Sequence, residues 1–158
     1  MVILAKTWLA AGVLLWPVTA NAADVVWTLS KKDGRAYLTG MSGGSEIDNQ
    51  FWAHCRDDGA IEIGAAAESR VGKGGGEAVT LRLASGRKST TLTGVSRESD
   101  NFEMTAGVEL RATVARDHPL FAVLGSGKEV AVSGPIKPLT WPVKGLKAKT
   151  AAFLKACR

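Results

Sequence analysis

Asp33-Gly34, Asp58-Gly59 and Ser85-Gly86 each interrupt a stretch in which apolar and polar residues alternate, and a chain punctuated in this way folds into antiparallel hairpins. Around the first turn, residues 25–30 and 35–39 pair so that Leu29 lies opposite Leu38 and Trp27 faces the core. The second hairpin covers residues 51–64. A three-residue loop with Gly59 left-handed aligns Cys55 with Ile61 and Ala53 with Ile63, and sets His54 opposite Glu62 on the other face, with Trp52 two positions along the same strand. Across the third turn, Val79, Leu81 and Leu83 face Leu92 and Thr90.

A longer alternation over residues 102–114 predicts strand with a break near Gly107. Asp117 is placed to cap a short helix that has Pro119 in its first turn and Gly125 as its stop. Strand character resumes at 129–133 and 139–143, the latter marked as an edge by Pro138 and Pro142. The period then changes: Leu146, Thr150, Phe153, Leu154 and Cys157 fall on one side of a terminal helix. The predicted fold is mainly β, an antiparallel β-sandwich or flattened barrel of about eight to ten strands with a short helical turn and a C-terminal helix.

The first twenty-two residues have the pattern of a secretory leader: one charge at Lys6, an apolar run from Trp8 to Val18, and Ala20-Asn21-Ala22. Residues 1–22 are therefore expected to be a signal peptide and 23–158 a single β-rich domain, periplasmic or secreted, with no transmembrane span after cleavage and monomeric. In an oxidising compartment two cysteines form a bridge. Cys55 is on the inward side of its strand and Cys157 on the buried stripe of its helix, so both periodicities favour a Cys55–Cys157 disulfide. Closing a loop of about a hundred residues stabilises by up to roughly 4 to 5 kcal/mol in the chain-entropy model.

Several motifs match chemistry only superficially. Gly40-Met41-Ser42-Gly43-Gly44 spells a nucleophile elbow, but no helix pattern follows Ser42, as that strained turn requires. Gly72, Lys73, Gly74, Gly75 and Gly76 lack the Ser or Thr after Gly-Lys of a phosphate loop; residues 70–77 read instead as a flexible connection, and 40–49 as a surface loop. His54 and Cys55 are strand neighbours pointing to opposite faces, so the two histidines and two cysteines make no metal set, and no cofactor is expected. Trp52, His54 and Glu62 form the candidate binding surface, either an exposed platform for stacking or a face that a second layer covers.

Charge is asymmetric. The chain carries 20 Lys plus Arg against 15 Asp plus Glu, and from Val130 onward every charged residue is basic, with Lys147, Lys149 and Lys155 on the outer face of the terminal helix. For an exported protein the anionic partners are lipid headgroups, lipopolysaccharide, acidic polysaccharide or nucleic acid outside cells, with no nucleic acid in the cytoplasm, and the alternative is a solvated face that serves solubility alone. The expected function is a non-enzymatic binding module for a protein or envelope polymer. Alternatives are an inhibitor of an extracellular hydrolase, inserting loop 40–49 or 70–77, and a small hydrolase using Ser42 or His54.

The strand Phe51-Trp52-Ala53-His54-Cys55, the segment from Pro119-Leu120 to Gly127-Lys128 and the closing helix from Leu146 to Cys157 resemble a loose set of small uncharacterised exported proteins of Gram-negative bacteria. In that set a cysteine on an early strand pairs with one at the extreme end. The resemblance implies export and the same bridge, and it implies no catalytic residue and no ligand.

Overall fold

A computed structural model describes residues 24–43 and 49–157. The expected leader lies outside the described residues. Among the described residues nine strands form one antiparallel sheet that is nearly closed into a barrel. In chain order they are β1 (Val25–Lys32), β2 (Arg35–Ser42), β3 (Asn49–Cys55), β4 (Ile61–Ala65), β5 (Gly75–Ser85), β6 (Lys88–Glu98), β7 (Val108–Val114), β8 (Glu129–Ser133) and β9 (Leu139–Pro142). Three short helices accompany them: α1 (Phe102–Thr105), α2 (Pro119–Leu124) and α3 (Leu146–Ala156). The spatial order is β1-β2-β3-β4-β7-β6-β5-β8-β9.

The hairpin registers follow from local turn chemistry. Leu29 pairs with Leu38, Cys55 with Ile61, Ala53 with Ile63, His54 with Glu62 and Leu81 with Leu92. Gly59 adopts a positive φ of 79°, as its loop requires. With the registers fixed, Leu38, Phe51, Ala53, Ile61, Ile63, Leu81, Leu83, Leu92 and Leu110 all point inward and are fully buried. Between the outermost strands, Trp27 Nε1 of β1 donates to the Pro142 carbonyl of β9 at 2.7 Å, and Trp27, Phe51 and Trp141 pack with ring centroids 5.7–6.2 Å apart. An edge strand ending in proline has fewer N–H groups to offer. An indole N–H makes the connection instead.

Helix α2 buries Leu120, Phe121, Val123 and Leu124 against β5 and β6, and α3 buries Leu146, Thr150 and Phe153 against β1 and β2. Phe121 and Phe153 meet at 6.2 Å, and residues from both helices join those of the strands in a single apolar cluster. Cys55 at the end of β3 is bonded to Cys157 just past α3, with Cα atoms 5.3 Å apart and a sequence separation of 102.

Four expectations change. The alternation over 102–114 is strand only from Val108; Phe102–Thr105 is a helical turn, closed by Ala106 at a left-handed φ of 50° whose N–H donates to the Phe102 carbonyl. Four alternating residues fit either conformation, and the Ser99 and Asn101 carbonyls, which accept N–H bonds from Phe102 and Met104, settle the choice. Helix α2 is capped by His118 rather than Asp117: its Nδ1 accepts from Leu120 N at 3.2 Å, which requires that nitrogen to be unprotonated. Burial lowers the His118 pKa, against the pull of Asp117, and so favours the capping form. The segment 70–77 is not a free linker, because the Glu77 carboxylate accepts the Lys73 and Gly75 N–H groups and Ser96 Oγ accepts from Gly74 N at 2.8 Å. Of the expected loop 40–49, residues 40–42 belong to β2 and Asn49 opens β3, while 44–48 lie outside the described residues.

Candidate functional site

On β3 the side chains between the buried ones emerge on the outer face of the barrel. Trp52 and His54 project there beside Tyr37 of β2, Glu62 of β4, and Glu109 and Arg111 of β7. Opposite Trp52, across the β3–β4 pair, stands Gly64. A Cβ at that position would lie 2.1 Å from the indole Nε1, so the glycine makes the room in which the indole reaches over β4 to β7. There it donates to Glu109 Oε2 at 3.0 Å.

Glu109 is the anchor of this face. It is only 1% exposed, and its second oxygen accepts from Arg111 Nε at 2.7 Å. Arg111 also holds the Asp100 carboxylate through Nη2, and its guanidinium carbon lies 5.4 Å from the centre of the Trp52 ring. Desolvation raises the Glu109 pKa, although the hydrogen bonds from Arg111 and Trp52 pull it the other way. Desolvation also works against the Arg111 cation, but hydrogen bonds to Asp100 and Glu109 outweigh it and lift its pKa further. A buried carboxylate is tolerated here because both of its oxygens are paired.

Toward β2 the rings continue as a row. His54 is stacked on Trp52 at 5.5 Å with planes 13° apart, and Tyr37 lies 5.3 Å from His54. His54 Nε2 is 3.5 Å from Glu62 Oε2, the pair that the hairpin register places face to face. Rings and charges together line a cleft of about 470 Å³, whose rim includes Lys32, Thr39 and Asn49. It adjoins a hollow of about 700 Å³ over β6, and the two share Glu62, Asp100 and Arg111.

The three residues singled out from sequence, Trp52, His54 and Glu62, are thus brought together on the outer face, each half-buried. No second sheet or terminal helix lies over Trp52 among the described residues; its partial cover comes from the neighbouring Arg111, Glu109 and His54. Sequence reasoning missed Tyr37, Asp100, Glu109 and Arg111. Tyr37 was recoverable by extending the outward parity of β2, and Gly64 opposite Trp52 already signalled a side chain lying across β4. The β4–β7 pairing that delivers Glu109 and Arg111 joins segments far apart in sequence and has no local signal.

Lys147 and Lys155 are exposed and Lys149 is partly so, with no ion pair to any of the three among the described residues. This basic surface is on α3, a different part of the molecule from the cleft. Ser42 is at the end of β2, with its hydroxyl buried and without a hydrogen-bond partner among the described residues. No group of three metal-ligating side chains occurs among the described residues, and no helix among them is long and apolar enough to cross a membrane. No family model, no curated protein and no solved structure matches the chain.

Proposed function

We propose that the chain is an exported, non-enzymatic binding module, periplasmic or secreted, that recognises a protein or an envelope polymer through the cleft built on β2, β3, β4 and β7. The observation that carries this reading is the buried Glu109 carboxylate, which fixes Trp52 and Arg111 in place on an otherwise solvent-facing side of the sheet. Burying a carboxylate costs free energy, and a fold gains little from doing so on an outer face. A rigid recognition surface does gain, because side chains ordered beforehand lose less entropy when a ligand arrives. The Cys55–Cys157 bridge and the leader-like first twenty-two residues support export.

The test is retention on immobilised envelope polysaccharide and on envelope proteins, comparing the full chain with a Tyr37→Ala/His54→Ala variant of unchanged melting temperature. Retention should fall about tenfold, the equivalent of roughly 1.4 kcal/mol. Equal retention of the two proteins overturns the reading, as does turnover of any substrate that His54→Ala or Ser42→Ala abolishes.

A further inference from the structure

We infer that the ligand of this cleft is a neutral saccharide chain, an inference that rests on reading the cleft as a binding site. Charge is the first argument. The cleft holds two fixed cations, Lys32 and Arg111, against the carboxylates of Glu62, Asp100 and Glu109, and Arg111 is already committed to two of the three. No surplus positive charge is left for a polyanion. Lys147, Lys149 and Lys155, which have no ion pair among the described residues, cluster on α3, so an anionic polymer and the cleft's ligand belong to different surfaces.

The lining is the second argument. A pyranose ring presents C–H groups on its faces and hydroxyls around its rim. The row Tyr37, His54, Trp52 offers ring surface whose negative quadrupole attracts such C–H groups. Beside it, Asp100 is largely exposed at 82%, Glu62 is partly so, and Arg111 keeps Nη1 without a hydrogen-bond partner among the described residues. A hydroxyl donates and accepts at once, so it can join a carboxylate and a guanidinium that are already paired with each other.

Shape and topology are the third. The cleft runs on into the hollow over β6, which suits a chain of linked units better than one small molecule. An extended peptide binds a sheet by adding to an unpaired edge, whereas β3, β4 and β7 are interior strands with neighbours on both sides.

The experiment titrates hexamers of glucose, in α- and β-linkage, and of N-acetylglucosamine into the full disulfide-bonded chain, following amide chemical shifts and tryptophan fluorescence. Heparin oligosaccharide and an unstructured peptide serve as comparison probes. At least one neutral hexamer should saturate with shifts confined to β2, β3, β4 and β7. Its affinity should fall about tenfold in Tyr37→Ala and about fivefold in Asp100→Ala, and should change less than about twofold between about 50 and about 500 mM NaCl. If no neutral hexamer binds while the Tyr37→Ala/His54→Ala variant still loses retention on envelope components, the ligand is of another class; the saccharide inference falls and the binding-module reading stands. If that variant loses nothing on any component, both fall.

Discussion

Strand β3 has two faces that solve opposite problems with adjacent residues. Phe51, Ala53 and Cys55 point inward to an apolar core sealed by a disulfide, while Trp52 and His54 point outward to a network of charges. The tryptophans show the contrast most directly. Trp27 donates to a backbone carbonyl and Trp141 Nε1 approaches the Gln50 side-chain oxygen at 3.4 Å, but Trp52 donates to a carboxylate. Neutral acceptors are enough to satisfy an indole in a core. A carboxylate buried beneath an outer surface requires further partners, and its place here sets this face apart from ordinary sheet exterior.

The comparison breaks if both faces respond alike to truncation. Phe51→Ala empties a fully buried position and should cost about 3 to 5 kcal/mol, read from urea unfolding. Glu109→Ala should cost about 2 to 3 kcal/mol, an unusual loss for an outward position, because it strands the Trp52 N–H and the Arg111 cation together. A value under about 0.5 kcal/mol would mark the outer face as ordinary surface. Gly64→Ala sharpens the point: the added methyl must displace the indole of Trp52, at a cost of about 1 to 3 kcal/mol and with a shift in tryptophan emission.

The smallest effect is a difference in pH dependence between two carboxylates. Glu109, its pKa raised by desolvation, contributes stability that is present below the ordinary glutamate value and is lost as pH rises through its folded value. The stability of wild type relative to Glu109→Gln should therefore fall as pH rises above the ordinary glutamate value. Glu77 is the reverse case: the backbone N–H of Lys73, followed by further backbone hydrogen bonds, holds its pKa down. Its contribution is present above the ordinary value and is lost as pH falls, so wild type relative to Glu77→Gln should weaken toward acid. Parallel slopes for the two variants would remove the distinction between a desolvated carboxylate and one cradled by backbone amides.

Legibility in the sequence divides along the same line as the two faces. The inner face needs only period-two alternation and the Asp-Gly turns, both local, and so Leu29 opposite Leu38 and Cys55 opposite Ile61 could be read directly. The terminal helix was readable from its change of period. On the outer face, His54 opposite Glu62 came from the same hairpin, whereas Glu109 and Arg111 arrive through β7, which pairs with β4 across an intervening hairpin. Phe102 and Met104 misled because a short alternating run has no unique period, and Met104 is exposed, with no core contact to enforce strand.

The bond between Cys55 and Cys157 also turns most of the molecule into a covalent ring. Strands β4 to β9 and all three helices lie between the two sulfurs along the chain. A protease that clips any one peptide bond in that span, for example in the segment around Lys73, releases nothing: the two fragments migrate as one species until a reductant parts them.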